Sequence, residues 1–219
     1  MNYYSQCQQD KVLNENFFKN NKNGIFIDVG AHDGIKLSNS YFYEKYLNWT
    51  GICFEPLPEV FDKLKNNRKC LCINKAAYNE NITLEFMQNT GYTEMLSGIV
   101  NTYNEDHKAR IKREIAYHGG TSKILQVETV KLADIIEEHN YKTIDYLSID
   151  TEGSEYQVLQ GIDFNKVHIN IIDVEVNYSG NSDHLNIIKL LEDNNFMLWK
   201  KCSWDEIYIN KSLKYSWEA

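Results

Sequence analysis

The chain has 219 residues, 42% of them hydrophobic, and a formal net charge of −8 at pH 7, which is enough apolar material for one well-buried core in a single domain spanning residues 1–219. The acidic balance argues against nucleic acid, whose phosphates need clustered Lys and Arg; the one basic cluster, HKARIKRE at residues 107–114, reads as a solvated helix face before it reads as a rim for an anionic substrate. No apolar run approaches the roughly 20 residues that span a bilayer, the start MNYYSQCQQD lacks a signal-peptide pattern, and the five cysteines lack C-x-x-C spacing, so a cytoplasmic protein with reduced thiols and no membrane partner is expected.

Residues 5–21 carry a helical pattern with Ser5 in the N-cap position, so residues 1–23 form a helical extension ahead of the first strand. Residues 24–29 are that strand, 38–49 a helix, GICFEP a short buried strand halted by Pro56, and 58–67 a helix with proline in its first turn. Strands are expected at residues 70–78 and 82–87. Residues 88–123 show no sustained strand pattern, and such a long insertion is expected to be a functional loop or lid. KILQVETV, TIDYLSID and VHINIIDVEV then read as strands, with KLADIIEEH and SEYQVLQG as helices and a last helix at residues 185–193 capped by Asp183. FMLWKKCSWDEIYI reads as a hairpin.

Alternating strands and helices predict an α/β fold with a mostly parallel sheet, helices on both faces and ligands at the carboxyl ends of the strands. That rule selects residues 28–34, Glu55, residues 150–155 and residues 173–175. In FIDVGAHDG the loop offers Gly30 and Gly34 but no third glycine, and it carries Asp28 and Asp33. A dinucleotide pyrophosphate would be repelled by those acids, whereas a sulfonium and an α-ammonium would be attracted. Electrostatics therefore favours S-adenosylmethionine, with Glu55 on its ribose diol. Asp150 ends a strand on the side of Ser148 and Tyr146, and a buried acid there needs a partner or a task. Glu152 and Glu155 also suit the dipole of the following helix.

These segments, YSQCQQD, FIDVGAHDG, SNS, EKYLNWTGICFEPLP, NKAAY and IDYLSIDTEGSEYQVLQG, resemble the FkbM family of S-adenosylmethionine-dependent methyltransferases over most of the chain and in the same order. The resemblance implies the Rossmann-like, seven-stranded class I methyltransferase sheet with a reversed strand near the C-terminus. It implies that Asp28, Gly30 and Gly34 hold the methionine end, Glu55 the ribose hydroxyls, and the turn at residues 75–77 the adenine. Ala31, Ser38, Pro56, Ala76, Ala77 and Asp150 complete the expected cofactor set. His32 occupies a variable family position and is expected to face solvent.

Family members commonly methylate hydroxyls of sugars or secondary metabolites, leaving S-adenosylhomocysteine, so a small-molecule or glycan acceptor is expected. An alcohol is a far weaker acid than a carboxylic acid; a carboxylate there acts as a base during bond formation or as a ligand of a divalent cation. Asp150, Glu152 and Glu175 are the candidates, with Asp150 and Glu175 as ligands if the ion is Mg2+. Only one of Asp173 and Glu175, two residues apart on one strand, is expected at the mouth. His118 is the alternative base, and Tyr92, Tyr103, Tyr117, Tyr178 and Trp204 are candidate walls for a sugar. A nicotinamide oxidoreductase and a silent binding module remain the readings from other classes. The NYY segment covers the sheet or reaches a second subunit, which leaves the oligomeric state open.

Overall fold

A computed structural model describes residues 1–177 and 179–218. The chain enters through α1 (Gln9–Leu13), which continues as a π-helical turn, Asn14–Phe18. The expected helix from Ser5 does not form. The Asp10 carboxylate instead accepts the N–H groups of Tyr4 and Ser5 and the Ser5 hydroxyl, Gln8 turns left-handed at φ 63°, and Ser5 bridges to Leu37. An acid that satisfies three donors outcompetes a serine cap. Tyr3 stacks on Phe42 and Tyr4 packs edge-on against Tyr41, so the NYY segment covers its own chain.

The strands follow as β1 (Ile25–Val29), β2 (Thr50–Phe54), β3 (Leu71–Ile73), β4 (Ala76–Ala77), β5 (Thr83–Asn89), β6 (Gly98–Ile99), β7 (Ser122–Val130), β8 (Thr143–Ile149), β9 (His168–Glu175), β10 (Phe196–Cys202) and β11 (Asp205–Asn210). Between them lie α2 (Tyr41–Leu47), α3 (Pro58–Asn67), α4 (Glu105–His118), α5 (Leu132–Glu138), α6 (Glu155–Gln160) and α7 (Ser182–Asp193). Seven strands form one sheet in the order β10-β11-β9-β8-β1-β2-β3. Pairing is parallel from β3 to β9, while β11 runs antiparallel to both β9 and β10, as the terminal hairpin requires. Among the described residues no helix is long and apolar enough to cross a membrane.

Alternating residues of each central strand enter two different cores, which is why the strands read as unbroken apolar runs. Ile27, Ile52, Leu147 and Ile172 meet Leu132, Val158 and Leu191 on one face. Phe26, Cys53, Tyr146 and Ile171 meet Phe18, Phe42, Tyr43 and Leu64 on the other. β1 lies between β2 and β8, so the chain order reverses beside it and leaves a crevice at the carboxyl ends of β1 and β8.

One expectation fails near that crevice. The strand over residues 70–78 breaks in two, because Asn74 turns its side-chain amide onto the carbonyls of Glu55 and Pro56; β3 stays in the main sheet and β4 leaves it. The strand at 82–87 and KILQVETV pair antiparallel along their length, giving a second sheet in the order β4-β7-β5-β6. The segment 88–123 is therefore the far end of this sheet together with α4 and two short 3-10 helices, Gly91–Leu96 and Val100–Thr102. At α7 the cap is Asn181, whose side chain accepts from the His184 N–H; Asp183 lies inside the first turn.

Gly30 turns at φ 84°, and a Cβ there would stand 1.8 Å from the Asp150 carbonyl oxygen. Gly30→Ala therefore forces both a left-handed alanine and a separation of β1 from β8. The expected cost is about 2–4 kcal/mol, read as a fall in Tm on the order of 5–15 °C.

Candidate active site

The carboxyl ends of β1, β2, β8 and β9 open into a cavity of about 630 Å³. One wall is the loop after β1. Its Gly30 and Ala31 N–H groups donate to the Phe54 carbonyl at 3.1 and 3.0 Å, and the Gly34 N–H donates to Ala31. Asp33 accepts the N–H groups of Ile35 and Lys36 at 2.9 and 2.8 Å. These amides are spent on Phe54 of β2 or inside the loop, and the next helix, α2, starts only at Tyr41, so they form no nest or helix N-terminus for a pyrophosphate.

The same bonds correct the expectation for Asp33, which caps a turn and lies outside the cavity lining. Gly34 likewise packs away from the cavity, where a Cβ would meet Leu64 and Arg68 at 2.6 and 2.7 Å. Asp28, Ala31 and Ser38 line a smaller pocket of about 30 Å³ behind the loop, shared with Asp150 and Asp205. His32 does not face solvent. Its side chain is 17% exposed, lines both cavities and lies 3.8 Å from Glu94, because φ 49° turns the ring inward. Burial lowers its pKa and leaves the imidazole neutral at pH 7.

Beside the loop, Glu55 follows β2, with its carboxylate accepting the Leu57 N–H at 2.8 Å and the His32 N–H. Burial pushes its pKa up to about 7. Pro56, Ala76 and Ala77 lie beside it, and Leu57, Ala76, Phe86 and Ile99 form an apolar cluster at this end. A carboxylate for a diol next to an apolar slot fits the ribose and adenine of S-adenosylmethionine. The small acid-lined pocket adjoins this cavity at Gly30, His32 and Asp150 and supplies negative charge suited to the cationic end. The slot depends on Phe86, in the strand expected at residues 82–87, and on Ile99, which lies in the stretch the sequence left irregular.

The third wall holds Asp150, Glu152 and Glu175, whose carboxylate oxygens lie within 4.8 Å of one another. Asp150 follows β8 and Glu175 ends the adjacent β9, while Glu152 turns inward at φ 57°. Asn177 donates to Glu175 at 2.6 Å and to Glu152 at 3.1 Å. Burial first, then repulsion from neighbouring carboxylates, raises the pKa of all three. Such a group holds protons in common and has a strong demand for positive charge. Glu155 is excluded from it, since its carboxylate accepts the N–H groups of Thr151 and Gly153 and anchors the start of α6. Asp173 lies one step below the mouth, 1% exposed and bonded by the Tyr146 hydroxyl, as the two-residue spacing predicts.

Tyr92 and Trp204 line the main cavity, with Arg110 and Glu114 of α4. Tyr103 is buried with its hydroxyl on the Leu96 carbonyl, Tyr117 is 83% exposed, and Tyr178 lies outside the described residues. His118 stacks on Tyr92 outside the cavity lining and is no base for this site. Sequence reasoning missed Asn177 and Arg68. Asn177 could have been found as the next residue on the face of Glu175; Arg68 carried no signal.

The Methyltransferase FkbM domain family matches residues 28–198. The chain is 27% identical over 161 residues to the methyltransferase sdnD of Sordaria araneosa, covering 64% of this chain and 61% of that protein. It is 24% identical over 164 residues to Methyltransferase 1 of Beauveria bassiana, covering 68% and 61%. It thus spans about 61% of the length of these curated relatives. The crystal structure of a Clostridium thermocellum protein described as an rRNA-methylase shares the fold, with a TM-score of 0.51 at 8% identity over 98% of this chain and 99% of that one. With more than half of its length inside the family match and its sheet in the class I methyltransferase order, the chain belongs to the FkbM methyltransferase family.

Proposed function

We propose that the protein is a cytoplasmic S-adenosylmethionine-dependent O-methyltransferase that modifies a hydroxyl of a sugar, in a glycan or its nucleotide-linked precursor. The observation that carries this reading is that one cavity places the Glu55 carboxylate, suited to the cofactor's ribose, opposite the buried acids Asp150, Glu152 and Glu175. Tyr92 and Trp204 on the acceptor side support a sugar, whose ring stacks on aromatic faces.

The cofactor supplies an electrophilic methyl group on a sulfonium. Asp28 and the loop after β1 hold its cationic end, and Glu55 accepts its ribose hydroxyls. Asp150 takes the acceptor hydroxyl proton as the new bond forms, so the positive charge lost at sulfur is matched by a proton gained at the carboxylate. Asn177 fixes Glu152 and Glu175, which orient the remaining acceptor hydroxyls.

The spacing of the three carboxylates favours a second reading of the same step, since an all-oxygen site of that size suits Mg2+ held by Asp150 and Glu175. An ion there would acidify the acceptor hydroxyl.

Calorimetry with S-adenosylmethionine, S-adenosylhomocysteine and NAD tests the cofactor class. Binding of the first two without NAD is expected, and binding of NAD alone overturns the proposal. Labelled methyl transfer onto sugar nucleotides, glycans and non-sugar alcohols tests the acceptor; transfer confined to non-sugars refutes the sugar assignment. Chelator treatment separates the two readings of the acids, because base catalysis survives it and the Mg2+ reading requires loss of turnover with recovery on adding the ion.

A further inference from the structure

Arg68, the residue after α3, belongs to none of the segments that point to the cofactor, and its side chain is completely shielded from solvent. It lines neither cavity beside the loop. Yet its donors are distributed across the back of that loop. Nε donates to Glu44 of α2 at 3.0 Å. One terminal nitrogen donates to the Gly34 carbonyl at 3.2 Å and to the Ser38 hydroxyl at 3.5 Å, and the other to the Ser40 hydroxyl at 3.0 Å.

Ser40 in turn donates to Asp28, which lies 4.0 Å from the guanidinium. The rings of Phe26 and Tyr41 flank the cation at 5.2 and 5.5 Å. The side chain's stem also explains Gly34, where a Cβ would stand 2.7 Å from the Arg68 Cγ.

This arrangement joins the end of β1, the glycine loop, the turn at residues 38–40 and α2. The near end of the loop is tied to β2 through the Gly30 and Ala31 N–H groups on Phe54 and the His32 N–H on Glu55, while the Gly34, Ile35 and Lys36 N–H groups bond within the loop, so what holds its far end against the sheet comes largely from behind. Burial pushes the Asp28 carboxyl toward its neutral form, and Arg68 is the cation that opposes this. A lysine would supply the charge from a single point and could not span Gly34, Ser38, Ser40 and Glu44 together.

We propose that Arg68 is a positioning residue of the cofactor site: from behind the loop it fixes the Gly34 carbonyl and the Ser38 to Ser40 turn against Asp28, and so sets the wall that receives the methionine end of the cofactor. This rests on the cofactor reading above.

The test is calorimetric titration of the full chain with S-adenosylhomocysteine, for wild type, Arg68→Met, Arg68→Lys and Ser40→Ala. Each variant is first shown to be folded by near-ultraviolet circular dichroism and a cooperative melt. The expected result is a dissociation constant raised about 100-fold in Arg68→Met and about tenfold in both Arg68→Lys and Ser40→Ala. A purely structural role would lower the melting temperature and leave the affinity of the folded protein unchanged. Folded Arg68→Lys and Ser40→Ala with affinities within about twofold of wild type would overturn the proposal, and these two variants carry the test if Arg68→Met does not fold. Failure of the wild type to bind S-adenosylhomocysteine is a different outcome, which removes the cofactor reading itself.

Discussion

Replacing Asp150 by Asn is expected to lower methyl transfer by about 10²–10⁴-fold, the usual contribution of a positioned base, while S-adenosylhomocysteine affinity stays within about threefold of wild type. The substitution keeps the shape and removes the negative charge and with it the ability to take a proton. Burial, followed by repulsion from Glu155, raises the Asp150 pKa to about 6. A base must be ionised to act, so kcat/KM should fall as pH drops below that value, and this acidic limb should vanish from the residual activity of the variant. Turnover retained at the wild-type rate would remove Asp150 from the mechanism. Equal loss of turnover and cofactor affinity would make it a binding residue only.

Glu55→Gln is expected to weaken S-adenosylhomocysteine by about 2 kcal/mol, or roughly 30-fold, through loss of charge-assisted bonds to the ribose hydroxyls. The wild-type effect is pH-dependent with a definite sign. On the ribose assignment it is the carboxylate form that binds the diol, and burial pushes the Glu55 pKa in the ligand-free protein up to about 7. Affinity should therefore be about tenfold lower at pH 6 than at pH 8, and the variant should lose this dependence. Stability moves the other way. The folded-state pKa lies above the ordinary value of 4.5, so the folded protein binds more protons between the two values and its stability declines as pH rises through that window. The ligand-free variant should accordingly melt higher than wild type at pH 8. Unchanged affinity at both pH values would refute the ribose assignment.

Much of this site was legible because strand-end chemistry is local. An apolar run that ends in an acid and a glycine identifies FIDVGAHDG whatever surrounds it, and the same logic picked out Glu55, Asp150 and Glu175. Two-residue alternation also predicted that only one of Asp173 and Glu175 would reach the mouth, and the structure places Glu175 there. The errors arose where two local signals compete or where the partner is remote. Ser5 has the right side chain for a cap, but its N–H and hydroxyl are drawn onto the Asp10 carboxylate and its oxygen accepts the Asp10 N–H, so the helix starts only at Gln9. His32 is polar and sits in a loop, but its positive φ turns the ring into the cavity. Residues 70–78 read as one strand, but Asn74 spends its amide on the carbonyls of the neighbouring segment and divides it.

The residue order by itself determined the alternation of strands and helices, the reversed terminal hairpin and the acids that end the central strands, because periodicity and capping act over a few residues. Tertiary structure alone decided that Phe86 and Ile99 join the apolar cluster beside Glu55, that Asn177 joins Glu152 to Glu175, and that Arg68 stands behind the glycine loop. Those contacts join segments distant along the chain, and their geometry exists only once the sheet has brought its strand ends into one crevice.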